Sequence, residues 1–283
     1  MSAAADELAV TPAAVSHQIK TLEEYFGVAL FHRAVRSIRL TDRGAALLPF
    51  LSEGLDLWAA GCRKLSALED DAPLVISSAP VFAGKWLVRH LADFNAHYPD
   101  ITVRLDGSLS VVDFNTDDVD AAIRFGTGPY PGLHSDALVN EDVIPVCAPE
   151  LQNGAHPLLT PDDLAYHTLI HVDWYAAAGT QPDWTMWLKT AGVTGVEGSK
   201  GPVVTSDSLA VEAALNGGGV VLVSEFLVRH DLESGRLVKP FDLMLPSNHW
   251  YWFVCPPENL ERPKILTFRD WLIAAIKDAE RTP

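Results

Sequence analysis

Residues 7–33, ELAVTPAAVSHQIKTLEEYFGVALFHR, constrain the fold of this chain more than any other stretch. Thr11 followed by Pro12 is an N-cap with proline at the first helical position, and Gly27 suits the left-handed residue that ends a helix. Ser2 can cap a shorter helix that precedes this one. The sequence therefore predicts a short helix, a tight turn and a second helix that ends before Gly27.

The second helix of this stretch has two chemically different faces. Its narrow apolar stripe, which we expect to be the buried face, consists of Val15, Ile19, Leu22 and Phe26. The opposite face carries small, polar and basic residues, namely Ala13, Ser16, His17 and Lys20. The following FHRAVRSIRLT predicts two short strands around a basic turn, which is the pattern of a wing.

The charge is distributed unevenly along the chain. The formal net charge of −16 argues against a protein that coats nucleic acid without specificity. Between Lys20 and Arg43, however, the basic residues outnumber the acidic ones, and the acidic excess follows Glu69. A mildly basic N-terminal module joined to an acidic body is the first functional clue in the sequence.

A single long helix is predicted from Thr41 to Ala67, with a kink near Pro49. Its apolar positions alternate spacings of three and four, as in a coiled-coil seam: Leu48, Leu51, Leu55, Trp58, Cys62 and Leu65. Such a seam can pair with a second copy of the chain, which would make a homodimer. The alternative is that the helix packs against its own domain.

After EDDAP (Glu69–Pro73), a predicted hinge, strands and helices alternate to the end of the chain. The predicted strands include LVISSAP, ITVRLDGS, VDAAIRFG, EDVIPVCAP, TLIHV, GPVVTS, GVVLVS and WYWFVCPP. Helices are expected over Gly84–Tyr98, Trp184–Ala191 and Asp207–Leu215, with a last one reaching Lys277. This alternation predicts α/β subdomains with central, largely parallel sheets.

The motifs of common enzymes are absent from the sequence. There is no GxGxxG, P-loop, HExxH or GxSxG pattern, and the Cys and His spacings do not suit zinc. GTGPYPG (Gly126–Gly132) is expected to be a loop. We therefore predict no catalytic residue, no metal site, no cofactor and no enzymatic activity.

The sequence also bears on where the protein works. No apolar run is long enough to span a bilayer, and the N-terminus lacks the pattern of a signal peptide. Cys62, Cys147 and Cys255 are few and far apart, which fits a reducing cytoplasm. We expect a cytoplasmic protein without a membrane partner.

Two serine clusters follow predicted strands, at Ser77 and Ser78 and at Ser206 and Ser208. In α/β folds the ends of strands and the starts of helices offer N–H and hydroxyl groups to polar ligands. Simple helix capping is the alternative for each cluster. Aromatic residues occur nearby in the sequence, namely Phe82, Trp174, Trp250 and Tyr251. Together these features favour a ligand cleft.

The motifs AADELAVTPAAVSHQIKTLEEYFGVALFHR and RLTDRG resemble those of LysR-type transcriptional regulators. FNAHYPDITVRL, VDFNTDDVDAAIRFGTGPYPGL, VIPVCAPEL, DSLAVEAALNGGGVVL and GRLVKPF extend the resemblance over nearly the whole chain, to the subgroup of the glycine-cleavage activator and the β-lactamase regulator. The resemblance implies an α/β protein with a winged helix-turn-helix, a linker helix that dimerises, and a two-lobed effector domain like a periplasmic binding protein.

The family motif places Thr11, Pro12, Ala13, Ser16, His17 and Gln18 on the recognition helix. Ser, His and Gln can contact base edges, while Lys20 and the wing residues Arg33, Arg36 and Arg39 suit phosphates. Pro12 stands where many relatives carry Gln, so the DNA sequence that is recognised is expected to differ.

The resemblance places the effector beside Ser78, Pro80, Val81, Arg124, Thr127, Ser206, Asp207, Ser208 and Tyr251. Pro80 and Val81 replace the Gly-Thr pair of the β-lactamase regulator, so its cell-wall-fragment ligand does not transfer directly. Arg124 suits either a ligand carboxylate or a structural ion pair.

The expected organisation is a DNA-binding domain over 1–40, a dimerisation helix over 41–72 and an effector domain over 73–283. Within the last, lobe I takes about 73–146 and 247–283, and lobe II about 147–246. The predicted protein binds promoter half-sites in double-stranded DNA as a homodimer or homotetramer and responds to a small molecule. The rivals are a family member that has lost DNA binding and a solute-binding protein.

In the family a further helix precedes the Ser2–Asp6 stretch and packs on the apolar stripe described above. This sequence starts after it, so we expect that Met1 is an internal methionine or that the chain is truncated. The stripe is then expected to be exposed or covered by a neighbour, and DNA binding to be weak.

Overall fold

The computed structural model describes residues 2–34, 37–67, 72–140, 142–173 and 181–281. The chain forms two compact units, residues 1–68 and 69–283, which are treated separately below. Arg36, Trp174 and most of the predicted hinge, Glu69–Pro73, lie outside the described residues.

The first unit has the predicted order of elements. They are α1 (Ser2–Glu7), α2 (Pro12–Phe26), β1 (Phe31–Ala34), β2 (Ser37–Leu40) and α3 (Asp42–Ala67). The Thr11 side chain accepts a hydrogen bond from the backbone N–H of Ala14 at 3.2 Å, and Gly27 is left-handed with φ 66°. β1 and β2 pair antiparallel as the wing hairpin. The predicted caps of α2 are confirmed.

The apolar stripe of α2 is only partly covered within the first unit. Val15 and Ile19 are half-buried, whereas Leu22 is 37% and Phe26 46% exposed. No residue of α2 is buried. The stripe is therefore not the buried face of the described unit, in agreement with the expectation that it would be exposed.

Thr41 and Gly44, both in the RLTDRG motif, join the start of α3 to the loop before the wing. The Thr41 hydroxyl donates to the carbonyl of Ala29 at 2.8 Å and accepts from the backbone N–H of Gly44 at 3.0 Å. A Cβ on Gly44 would stand 2.2 Å from the carbonyl oxygen of Leu30. Only glycine permits this close approach of backbone to backbone.

The second unit contains two sheets. The five-stranded sheet has the order β4-β3-β5-β11-β6 and the four-stranded sheet the order β7-β10-β8-β9. The strands are β3 (Leu74–Ser78), β4 (Val103–Gly107), β5 (Ala121–Gly126), β6 (His134–Asn140), β7 (Val143–Val146), β8 (Leu169–Val172), β9 (Val203–Val204), β10 (Val220–Ser224) and β11 (Trp250–Cys255). The helices are α4 (Pro80–Phe82), α5 (Val88–His97), α6 (Glu150–Asn153), α7 (Trp184–Ala191), α8 (Asp207–Leu215), α9 (Glu225–Glu233) and α10 (Pro263–Arg281).

Both sheets are mixed, not largely parallel as expected. β3 pairs parallel with β4 and β5, and β8 pairs parallel with β9 and β10. β11 and β7, however, pair antiparallel with their neighbours. They lie where the chain passes between the sheets, and a strand that arrives from the other lobe enters without the helical crossover that parallel pairing requires.

Several elements differ from the sequence prediction. β6, α6 and α9 were not predicted. The helix expected at Gly84 begins at Pro80, because α4 continues through a π-helical turn (Ala83–Leu87) into α5. The Pro at the start of α4 occupies a first-turn position, where its missing N–H costs no hydrogen bond.

The chain passes between the lobes twice, after β6 and before β11. The Asp142 carboxylate joins the two passages, because its Oδ1 accepts from the Asn140 side chain at 3.0 Å and from the backbone N–H of Ser247 at 3.1 Å. β7 belongs to the four-stranded sheet, so the first passage lies near residue 142, before the predicted boundary at 146.

Helix α9 packs on the core of the first lobe. The Phe226 ring lies 6.1 Å from that of Phe82 and 5.8 Å from that of Trp86. Beside them, the Lys85 ammonium is 3.2 Å from the carboxylate of buried Asp231. The lobes therefore share an apolar contact and an ion pair in addition to their two chain connections.

We expect Gly44→Ala to destabilise the first unit by about 1–3 kcal/mol, since the new methyl group overlaps the Leu30 carbonyl. The Thr41 amide, which donates to that carbonyl at 2.9 Å, reports the change through faster hydrogen exchange of residues 30–45. Gly54→Ala is the matched control, because nothing lies within 4 Å of its added Cβ and alanine favours the helix. Equal exchange rates in the two variants would contradict this role of Gly44.

Candidate functional site

The N-terminal part of α2 presents a polar surface to solvent. Thr11, Pro12, Ala13, His17, Gln18 and Lys20 are exposed, and Ser16 is half-buried. The left-handed turn before this helix includes Ala9, with φ 51°. The structure thus presents all seven predicted residues of this region on one short segment.

The basic residues near α2 differ in their ion pairing and in where they lie. Lys20 forms an exposed ion pair with Glu24 one turn later, at 3.4 Å. Exposed pairs of this kind contribute about 0–1 kcal/mol, so Lys20 can exchange Glu24 for a phosphate at little cost. Arg39 is exposed on β2, and Arg33 lies on β1. Arg36 cannot be placed, since it lies outside the described residues.

Glu23 ties the loop after α2 to the helix itself. Its Oε1 accepts from the backbone N–H groups of Leu30 at 2.8 Å and Phe31 at 3.0 Å. This carboxylate fixes the entry into β1, and hence the wing, relative to α2.

The predicted seam of α3 is exposed within the first unit. Leu48, Leu51, Leu55 and Trp58 all face solvent, and Trp58 is 70% exposed. Cys62 is an exposed free thiol, and Leu65 lies in the last turns of the helix. A row of large apolar side chains on one helix is what a partner helix requires.

A cavity of about 620 Å³ lies between the lobes of the second unit. Lobe I contributes the end of β5, the start of α4 and the loop after β4, while lobe II contributes the ends of β8 and β9 and the start of α8. The volume is typical of a site for a small organic molecule.

Eight of the nine predicted effector residues line this cavity: Pro80, Val81, Arg124, Thr127, Ser206, Asp207, Ser208 and Tyr251. Ser78 does not. It is buried at the end of β3, where its hydroxyl donates to the carbonyl of Ala79 at 3.3 Å. Of the nearby aromatic residues, Phe82 packs against Tyr251, with their ring centroids 4.7 Å apart.

Arg124 is half-buried and held by two hydrogen bonds. Its two terminal nitrogens donate to the Ser77 hydroxyl and to the carbonyl of Ser108, each at 2.9 Å. Burial lowers the pKa of the guanidinium, while Tyr130 and Asp106 oppose that change. The Ser77 hydroxyl therefore bonds to Arg124 and not to a ligand. These contacts of Arg124 are neither a bond to a ligand carboxylate nor an ion pair, the two roles predicted for it.

Asp207 occupies the first position of α8 and is only 6% exposed. Ser206 caps the helix by accepting from the backbone N–H of Leu209 at 3.4 Å, which confirms the capping alternative for this serine. Burial raises the pKa of Asp207 to about 7, against a smaller opposing effect of its own backbone N–H. Its Oδ1 has no hydrogen-bond partner among the described residues.

Several lining residues were not predicted from the sequence. They include Leu109, Val111, Phe114, Tyr130 and Asp173. Val111 is 94% exposed on the loop after β4, an apolar exposure that only the structure reveals.

The GTGPYPG segment is a loop, as expected, and it forms one wall of the cavity. Gly128 packs on the indole of Trp252, where an added Cβ would stand 2.4 Å from the nearest ring atom. The Trp252 Nε1–H donates to the carbonyl of Gly126 at 3.0 Å. Gly128 thus allows the loop to pack closely against an aromatic ring.

Among the described residues, no three His, Cys, Asp or Glu side chains are grouped so that they could hold a metal ion. In the same residues, no helix is both long enough and apolar enough to cross a membrane.

Two family models match the chain. Residues 1–45 match "Bacterial regulatory helix-turn-helix protein, lysR family", and residues 69–277 match "LysR substrate binding domain". The chain is 39% identical to the glycine cleavage system transcriptional activator of Escherichia coli, over 96% of this chain and 87% of that protein. It is 35% identical to the HTH-type transcriptional activator AmpR of Pseudomonas aeruginosa, over 95% and 88% of the two chains.

Solved structures show the same architecture. The effector domain of AmpR from Pseudomonas aeruginosa is similar with a TM-score of 0.61 and 29% identity, covering 74% of this chain and 98% of that domain. CrgA of Neisseria meningitidis, described as a LysR-type transcriptional regulator, has a TM-score of 0.59 over 97% of this chain and 93% of its own. At 24% identity the second match bears on the fold alone.

We expect Asp207→Asn to gain stability relative to the wild type as the pH rises from about 5 to 8. With a pKa raised from 3.8 to about 7, folded Asp207 holds its proton where the unfolded chain has lost it. The wild type therefore loses stability across that range. One pKa unit corresponds to about 1.4 kcal/mol, so the relative change should exceed about 1 kcal/mol.

Urea unfolding of both proteins at the two pH values measures this effect. Asp100→Asn is the matched control, because Asp100 is exposed. If the Asp207 and Asp100 variants show the same pH dependence, Asp207 does not titrate in this range.

Proposed function

The chain belongs to the LysR family of transcriptional regulators, and on that premise we propose how its two units divide the work. The first unit binds promoter half-sites in double-stranded DNA, and the cavity of the second unit binds the small-molecule effector. Homologues of the chain are transcriptional regulators and not enzymes. The observation that carries the proposal is that one chain combines a polar, exposed helix with a separate ligand-sized cavity.

DNA recognition is assigned to α2 and the wing. Thr11, Pro12, Ala13, Ser16, His17 and Gln18 form the surface that contacts base edges. Lys20, Arg33, Arg36 and Arg39 contact phosphates, which fix position but carry no sequence information. Exposure of the side chains on α2 supports the first group, and exposure of Arg39 supports the second.

Effector control is assigned to the interlobe cavity. A ligand that contacts both lobes favours one relative arrangement of them by as much as its affinities for the two arrangements differ. Such a change would alter how paired winged helices sit on spaced half-sites. We place the protein in the cytoplasm, where DNA and metabolites are both present.

Assembly is assigned to the seam of α3. Two copies would bury Leu48, Leu51, Leu55, Trp58, Cys62 and Leu65 against each other as a homodimer, and two dimers would form a tetramer. Exposure of the first four side chains supports pairing over packing within the first unit.

A family member that has lost DNA binding is the second candidate. The exposure of Leu22 and Phe26 on α2 favours it, because these apolar side chains then contribute little packing that would stabilise the helix. The match of residues 1–45 to the helix-turn-helix family model favours DNA binding instead.

We expect Ser16→Ala combined with His17→Ala to abolish sequence preference while non-specific affinity remains. Loss of a base contact costs about 1–3 kcal/mol, so the ratio of specific to non-specific affinity should fall at least about tenfold. The measurement is binding of the full chain to a duplex selected from a random library and to its scrambled version. An unchanged ratio would contradict the assignment of the recognition helix.

Arg39→Ala is the matched comparison for that double variant. It should weaken binding to both duplexes equally and reduce the salt dependence by about one phosphate contact. A selective loss on the selected duplex would instead assign Arg39 to base recognition.

We expect Leu55→Glu to shift the protein toward the monomer, since two carboxylates would face each other within the apolar seam. Sedimentation velocity over a range of concentrations measures the effect, which should raise the dissociation constant at least about tenfold. Leu57→Glu introduces the same change on another face of α3, where Leu57 is also exposed, and should leave assembly intact. An equal effect of both variants would contradict the seam.

A further inference from the structure

The charges that face the cavity are unbalanced. The described residues that line it include one cation, Arg124, and two carboxylates, Asp173 and Asp207. An anionic ligand would therefore depend on Arg124 alone and would meet repulsion from the other two charges.

Arg124 lines the cavity, but both of its terminal nitrogens already bond to the protein. Its terminal nitrogens donate to the Ser77 hydroxyl and the Ser108 carbonyl, and neither of these residues lines the cavity. Asp106 on β4, two strands away in the sheet, also favours the charged form of Arg124. These contacts hold the guanidinium within the cavity wall.

Asp207 is the polar group that the cavity leaves unsatisfied. Its carboxyl group is almost fully buried, lines the cavity and has one oxygen without a hydrogen-bond partner among the described residues. A buried acceptor that has no donor costs about 1–3 kcal/mol, which a donor on the ligand would recover. In its ionised form the carboxylate can only accept, so that form favours a ligand that donates.

The rest of the wall suits an apolar body. Val81, Leu109, Val111, Phe114 and Leu133 surround the space with aliphatic and aromatic groups. The volume of about 620 Å³ accommodates an aryl group with a short chain.

We propose that the effector is an organic amine, whose ammonium group donates to Oδ1 of Asp207 while its apolar body occupies the rest of the cavity. This inference rests on the proposed function of the cavity as the effector site. Burial disfavours the ionised form of the Asp207 carboxyl group. An ammonium in contact with it offsets that cost. The ion pair forms inside the cavity, where hydrogen bonds between charged groups are strongest.

Matched probes test the class of ligand. 2-Phenylethylamine and 3-phenylpropionate share a ring and a two-carbon chain, but differ in the sign of their charge. We expect the amine to bind the full-length wild type at least about tenfold more tightly, as measured by calorimetry or ligand-observed NMR. In Asp207→Asn the ratio of the two affinities should fall to about one, whereas Asp100→Asn, outside the cavity, should retain it.

Three results would overturn the proposal. They are equal or tighter binding of 3-phenylpropionate to the wild type, an amine preference that persists in Asp207→Asn, and no binding of either probe up to about 10 mM. If Asp207→Asn does not fold, as judged by circular dichroism, the comparison of the two probes on the wild type still decides.

The ligand class and the proposed function can fail separately. The probe measurement contains no DNA, so a failed recognition-helix experiment leaves its result unchanged. If instead the probes bind in the cavity without a preference for the amine, the cavity remains an effector site. The proposal that the effector is an organic amine is then refuted.

Discussion

The carboxylate of Asp142 is the interaction on which the effector unit depends. It joins the two segments that pass between the lobes, through bonds to Asn140 and to the backbone of Ser247. Paired backbone hydrogen bonds between Val143 and Leu245 join the same two segments beside this acceptor. The contact of Phe226 with the core of the first lobe lies close by, since the backbone N–H of the preceding Glu225 donates to the Asp142 carbonyl at 3.3 Å. The arrangement of the residues around the cavity therefore depends on how the two connecting segments are held.

Burial divides the polar groups around the cavity into two classes. Those of Arg124 and Ser77 satisfy each other and stiffen the wall. The carboxyl group of Asp207 is more deeply buried than Arg124, but one of its oxygens has no hydrogen-bond partner among the described residues. A protein tolerates such a group when something binds to it, because the cost of an unsatisfied acceptor is removed in the complex. The unpartnered oxygen of Asp207 thus indicates that the ligand of this cavity carries a hydrogen-bond donor.

Local signals predicted most of the elements, and packing decided the rest. Thr11, Pro12 and Gly27 specify the bounds of α2 through capping, which depends on neighbours in sequence. The same holds for α7 and α8, whose predicted bounds are confirmed. β6 was missed because HSDALVN begins with polar residues, and it becomes a strand through pairing with β11. The role of Arg124 depended on Ser77 and Ser108, contacts between strands that no spacing in the sequence reveals.

The bond network at Thr41 and the close contact of Gly44 have a mechanical consequence. They join the loop before the wing to the first turn of α3, so a rotation of that helix about its axis must carry the hairpin with it. Each residue advances a helix by about 100°. In a pair of such helices, a slip of one position would turn the two DNA-binding surfaces out of alignment with the groove. The seam of α3 would therefore determine how the two DNA-binding surfaces are oriented on the double helix, in addition to the number of subunits.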